Sequence, residues 1–283
     1  MDESSRRRVR SIFVSDVHLG CRHSKADLLL EFLKQHKCDY LYLVGDIIDG
    51  WKMHRGFRWN DTYTLLVRRI FGMVKRGTTV RYVAGNHDEF LRNYMDELRT
   101  ALTGHIEIAD EFVHLTADNR RLLVLHGDIF DSVAINMPWL AGLGDRGYSL
   151  LLVLNTGGNW LRRKLGLKYK SYSLFMKQNI KRAVNYVNSF EEMMMLHTRK
   201  QQCEGVICGH IHTPAIKSHA GLAYYNCGDW VESCTALLEY DDGTIELVHY
   251  DEPPQAAVEP RTAEAAWSFS LSAVQALAAP RPS

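Results

Sequence analysis

Five polar clusters punctuate the chain, each closing a short apolar run: Asp16-Val17-His18, Gly45-Asp46-Ile47-Ile48-Asp49, Gly85-Asn86-His87-Asp88, His126-Gly127-Asp128 and Gly209-His210-Ile211-His212. Asp16, His18, Asp46, Asn86, His126, His210 and His212 together offer oxygen and nitrogen donors and no sulfur. That mixture suits borderline divalent ions, Mn2+ first, with Fe2+ or Zn2+ as alternatives. So many imidazoles disfavour Ca2+, and seven ligands exceed what a closed structural zinc site takes. The set fits a pair of ions. Asp16 with His18, and His210 with His212, stand on alternate residues. In a strand they would share a face, and in a turn both could converge on the metals. Asp46, after a strand and a glycine, is the best candidate for a carboxylate bridging two cations. The glycines beside the ligands allow sharp turns and close approach.

The surrounding pattern says what must position these residues. Strands are expected at 9–15, 40–44, 79–84, 121–125, 205–208, 222–227 and 235–240. Asp242-Gly243 reads as a hairpin turn into another strand at 244–250. Helices are expected at 25–36 and 62–75. Asp88 is expected to cap a further helix carrying Phe90, Leu91, Tyr94 and Leu98. Strands alternating with helices imply an α/β fold. Ligands of open α/β sheets gather at the carboxyl ends of strands, which is where every cluster lies. Six other histidines (His23, His36, His54, His105, His114 and His249), and with them His197 and His219, are read as structural or surface residues.

Composition narrows the class. The chain is 46% apolar and 24% charged, ordinary for a globular protein. It contains no apolar run long enough for a spanning helix. Its N-terminus carries no leader-like apolar stretch, so no export is expected. Six cysteines without a CxxC pair read as buried thiols of a reduced compartment. A cytoplasmic protein is expected, with peripheral attachment to the cytosolic face of a membrane as an option. A net charge of +1 gives no reason to expect a nucleic-acid partner.

The charge is unevenly spread. Residues 160–200 hold ten Lys or Arg, Arg162, Arg163 and Lys164 among them, against Glu191 and Glu192. This basic stretch belongs to a mostly helical insert, about 131–202, that interrupts the α/β alternation. Trp139, Leu150–Leu154 and Trp160 precede it. The composition suits an interfacial helix on anionic lipid, an apolar tunnel for acyl chains with a basic mouth for phosphate, or a helical hairpin with a solvated basic face. Residues 9–251 thus form the expected catalytic domain. The Ala/Pro-rich segment 252–283 reads as a tail, with helix-like spacing of Trp267, Leu271, Val274 and Leu277.

In this order, D-x-H, GD-x-x-D, GNHD, H-G and GH-x-H resemble the calcineurin-like metallophosphoesterase superfamily. The resemblance implies two packed mixed β-sheets flanked by helices, with the insert as a lid. It implies one ion on Asp16, His18, Asp46 and His212, and another on Asp46, Asn86, His126 and His210. Such a pair lowers the pKa of a shared water and neutralises phosphoryl oxygens. Asp46 and Asn86 then serve catalysis through the metals. His87 is placed to stabilise developing charge or protonate the leaving oxygen, with Asp88 expected to orient it or to cap the next helix. GDIIDGW, with Trp51, and the helical insert are similar to UDP-2,3-diacylglucosamine pyrophosphatases of lipid A synthesis, which cleave a nucleotide-linked acylated sugar to UMP and a lipid monophosphate. His87 stands where that group has Arg, and Lys52-Met53-His54-Arg55 replaces its acidic stretch, which marks a sister group. A phosphorylated, lipid-linked substrate follows from the resemblance, with Trp51 expected to contact it; the charge of Arg162, Arg163 and Lys164 in the insert makes them the expected contacts of its phosphate. A general phosphodiesterase or phosphatase, and a non-catalytic scaffold of the same fold, are the alternatives.

Overall fold

The computed structural model describes residues 6–52, 57–94, 106–130, 187, 189–219 and 221–250. Strands β1 (Arg7–Val14), β2 (His36–Val44), β3 (Thr79–Val83) and β4 (Ile106–Ala109) pair in parallel. β5 (Glu111–Leu115) pairs antiparallel with β6 (Arg121–Leu125), and β6 runs parallel to β7 (Gly205–Cys208). β8 (Ala215–His219) is antiparallel to β9 (Leu222–Asn226), which lies parallel to β7. β10 (Thr235–Glu239) and β11 (Ile245–His249) add antiparallel strands beside β1. The result is two mixed sheets, ordered β11-β10-β1-β2-β3-β4 and β5-β6-β7-β9-β8.

Alternation along the central strands builds three apolar layers. Phe13, Tyr42, Val44 and Val83 of the first sheet meet Leu122, Val124, Ile207 and Tyr225 of the second. The intervening residues Ile12, Val14, Leu41 and Leu43 face outward into a core shared with helices α1 (Ala26–Gln35) and α2 (Asp61–Val74). On the far side, Leu123, Leu125, Val206 and Cys208 pack with Phe190, Met194 and Met195 of helix α3, residues 189–200. Strands buried on both faces read as continuous apolar runs, which is why their sequences announce them. Asn60 caps α2, its side chain accepting the Tyr63 amide at 2.9 Å.

Three strands escape the sequence pattern: β4, β5 and β8. All are sheet edges with polar residues interspersed, so neither an apolar run nor a turn signal marks them. The helix expected after Asp88 is a short 3-10 helix over Glu89–Tyr94, and Leu98 lies outside the described residues. Of the insert, only residue 187 and residues 189–202 are described, and these carry α3. Arg162, Arg163, Lys164 and the 252–283 tail lie outside the described residues.

A polar clamp crosses between the sheets. Glu239 on β10 is fully buried and lies 2.8 Å from His114 Nε2 on β5 and 2.6 Å from Arg10 Nη1 on β1. It also accepts the Ala117 amide at 2.8 Å and the Ser11 hydroxyl. Burial alone would raise this carboxyl's pKa, but the contacts with His114 and Ser11 outweigh it and hold the pKa below its ordinary value. A folded-state pKa below the unfolded one means the contribution is present above the unfolded value of 4.5 and is lost as pH falls through the folded value. Glu239→Gln is therefore expected to cost roughly 3–5 kcal/mol in urea unfolding at about pH 7. The variant should also lose part of the acid-side decline that the parent protein shows.

Candidate metal centre

The carboxyl ends of β1, β2 and β3 lie side by side in one sheet, and those of β6 and β7 in the other. The loops leaving β1 and β2 continue the ladder past the strand ends. The Asp16 amide donates to the Gly45 carbonyl at 3.1 Å, and the His18 amide to the Asp46 carbonyl at 2.9 Å. Two contacts then join the sheets. The His210 amide donates to Asp16 Oδ2 at 3.0 Å, and His126 Nδ1 lies 2.9 Å from the Val44 carbonyl oxygen.

Side chains converge inside this rim. Asp16 Oδ1 lies 3.0 Å from His212 Nε2 and 3.7 Å from His18 Nε2. Asp46 Oδ1 lies 3.4 Å from His126 Nε2, while its Oδ2 lies 3.9 Å from His18 Nε2. Three groups result, Asp16 with His18 and His212, Asp16 with Asp46 and His126, and His18 with Asp49 and His87, each with ligand atoms within 4.8 Å of one another. The His210 ring stands 5.1 Å from that of His126, nearly perpendicular to it. The oxygens of Asp46 face different imidazoles, as a bridging carboxylate requires.

The polar bookkeeping of these side chains fits cations. Asp16 Oδ1, Asn86 Oδ1 and His126 Nε2 are buried atoms without a hydrogen-bond partner. Leaving such an atom unsatisfied costs about 1–3 kcal/mol, so three at one place call for a ligand that accepts lone pairs. Burial would raise the Asp16 carboxyl, yet the contacts with His18 and His212 and the charge of His126 hold it well below the usual carboxylate range. Burial would lower His126, but the charge of Asp46 and its contact push it up to about 10. Carboxylates this avid for positive charge bind divalent ions in competition with protons.

Backbone conformation explains how alternate residues reach one centre. Asp16, His18, Asp46, His210 and His212 all adopt left-handed φ, between 49° and 71°. These kinked turns, rather than strand alternation, bring each Asp/His and His/His pair together. The left-handed region costs an L-residue roughly 1–2 kcal/mol, and strain of this kind gathers where function requires it. Gly85 and Gly209 make room. A Cβ on Gly85 would lie 2.2 Å from Asp46 Oδ1, and one on Gly209 would lie 1.8 Å from Ser15 Oγ.

A family model for calcineurin-like phosphoesterases matches residues 9–214. The chain belongs to that family. UDP-2,3-diacylglucosamine hydrolase from Psychromonas ingrahamii is 26% identical over 85% of this chain and 97% of its own length. The enzymes of that name from Neisseria gonorrhoeae and Coxiella burnetii are 26% and 27% identical, over 83% and 84% of this chain and 96% of their own lengths. Among solved structures, the phosphoesterase Yfce from E. coli is similar at 14% identity and a TM-score of 0.41, covering 85% of this chain and 99% of that one.

In this calcineurin-like phosphoesterase, His87 sits at the edge of the cluster. Its Nε2 lies 3.9 Å from Asp46 Oδ2, and its amide donates to Asp46 Oδ1 at 2.8 Å. Its ring stacks on Trp51 at a centroid distance of 3.9 Å and meets the His18 ring edge-on at 4.5 Å. Asp88 does not orient it. The buried Asp88 carboxylate accepts the Ile47 and Ile48 amides at 3.0 and 2.8 Å, fastening the Asp46 loop instead. Nor does that side chain cap the helix, whose Leu91 amide is taken by the Asp88 backbone carbonyl. The partner of His87 is Asp49, whose Oδ1 lies 3.0 Å from Nδ1. Sequence reading gave Asp49 no role, although the GD-x-x-D spacing held the signal.

Gly85→Ala drives a methyl group into Asp46 and is expected to weaken Mn2+ binding roughly 10–100-fold, read by calorimetric titration of the folded variant. Unchanged affinity would mean that Asp46 is not held where the ions bind.

Proposed function

We propose that this phosphoesterase hydrolyses a phosphoric anhydride or ester bond of a nucleotide-linked lipid of the UDP-2,3-diacylglucosamine kind, using two divalent ions, Mn2+ first among them. Asp16, His18, Asp46 and His212 would hold one ion, and Asp46, Asn86, His126 and His210 the other. The observation that carries the substrate reading is the span of the match: the three relatives of that name given above align over 96–97% of their own length. When bound, such ions activate water and neutralise phosphoryl oxygens.

The chain's own side chains supply the rest. Asp46, with an oxygen towards each imidazole cluster, fixes the spacing between the two sides. His87 carries a proton at Nε2 towards the leaving oxygen. Asp49 orients that ring from behind, and Trp51 covers its face. Trp51 is 60% exposed, so its outer surface is open to a planar or apolar part of the substrate. Arg162, Arg163 and Lys164 are assigned to phosphate by their charge alone. Among the described residues no helix is long and apolar enough to cross a membrane. Work on a lipid-linked substrate is consistent with a cytoplasmic enzyme that docks on anionic lipid.

Activity on UDP-2,3-diacylglucosamine in Mn2+, abolished by chelator and far above that on bis-p-nitrophenyl phosphate, is the expected outcome. Comparable turnover of both would favour a general phosphodiesterase. His87→Ala should keep both ions and lose about 10²–10⁴-fold in turnover. Asp49→Asn, which removes the charge behind the ring and keeps its shape, should fall between that variant and the parent. A fully active His87→Ala enzyme would remove the role given to this imidazole.

A further inference from the structure

Three imidazoles of the centre divide their nitrogens in one way. His126 turns Nε2 towards Asp46 Oδ1 at 3.4 Å and sets Nδ1 2.9 Å from the Val44 carbonyl oxygen. His87 turns Nε2 towards Asp46 Oδ2 and sets Nδ1 3.0 Å from Asp49 Oδ1. His212 repeats the arrangement. Its Nε2 lies 3.0 Å from Asp16 Oδ1, and its Nδ1 faces Asp229 Oδ2 at 4.0 Å. An imidazole that gives Nε2 to a metal carries its proton on Nδ1, and an acceptor behind Nδ1 fixes both tautomer and ring orientation.

Asp229 is built for that place. It is 1% exposed and lies between β9 and β10. Its Oδ1 accepts the amides of Val231, Glu232 and Ser233, at 2.8, 2.5 and 3.3 Å. Its Oδ2 accepts the Ser233 hydroxyl at 2.8 Å. The three amides on Oδ1 fix the carboxylate in place, and the hydroxyl on Oδ2 adds to them. The same turn grips the other side of the cluster. The Trp230 amide donates to the Asp16 carbonyl at 3.0 Å, and the Trp230 carbonyl accepts the Lys25 amide at 2.7 Å. The His212 side chain is 40% exposed, against 9% for His18 and none for His126, so it is the imidazole with least packing to hold it.

We infer that Asp229 is a positioning residue of the metal centre, holding His212 in the tautomer that leaves Nε2 for the ion shared with Asp16. At 4.0 Å the pair acts as a charge contact rather than a direct hydrogen bond. The inference rests on the two-ion reading, and its test separates the two. Asp229→Asn keeps an Oδ1 for the backbone amides and an Nδ2 that can donate to Ser233 Oγ, so the turn is retained. It presents an N–H to His212 where an anion stood. Ser233→Ala does the reverse, loosening the turn while leaving the charge.

In calorimetric Mn2+ titrations, Asp229→Asn should weaken one of the two sites roughly 10–100-fold, with the melting temperature of the metal-free protein unchanged, while Ser233→Ala binds as the parent does. Both sites at parental affinity in Asp229→Asn would overturn the inference, as would equal loss in Ser233→Ala. A parent protein that binds no Mn2+ would overturn the two-ion reading, and the inference with it. Long-range 1H–15N spectra of the Zn2+-loaded parent give an independent readout that needs no variant. His212 should carry its proton on Nδ1, and a proton on Nε2 would overturn the inference.

Discussion

Asp16 and Asp46 place two carboxylates out of reach of water, at 0% and 2% exposure, and the charge of Asp16 works against ionisation of Asp46. Among the described residues neither carboxylate pairs with Lys or Arg. The groups facing them are imidazoles, backbone amides and the Ser15 hydroxyl. An anionic pair buried in this way is tolerable only with positive charge between its members. The rest of the structure serves that requirement. Parallel strands deliver the residues to one rim, left-handed turns aim them, and glycines clear the space into which Asp46 and Asp16 fit.

Much of this was legible beforehand, for a physical reason. Central strands buried on both faces give unbroken apolar runs, and the functional clusters interrupt those runs at their carboxyl ends. The edge strands β4, β5 and β8 were not legible, because an edge half-open to solvent has no such constraint on its composition. The candidate ligands could be picked out by residue type and order alone. Asp88 and Asp229 were harder to read, since acidic residues at turns are common in any sequence, and for Asp49 only the GD-x-x-D spacing held a signal. Asp88 was placed by its chain neighbour His87, yet its carboxylate turns to the Ile47 and Ile48 amides on an adjacent loop. Proximity in sequence misled where the ladder between loops set the contact.

His87 and Trp51 stack at the outer edge of the described cluster, where Trp51 is exposed. Helix α3, which ends the insert, packs Phe190 against the His210 ring at 5.9 Å and beneath Gly127. Its Glu191 is buried against Lys217 on β8. Helix α3 is thus fastened both to a candidate metal ligand and to the sheet edge.

The central claim is that the chain holds two ions around Asp46. Electron paramagnetic resonance of the full chain during Mn2+ titration tests it most directly. The account predicts uptake of two ions per chain and the exchange-coupled spectrum of ions bridged by a shared carboxylate. Saturation at one ion, or two ions with the spectrum of isolated Mn2+, would contradict it.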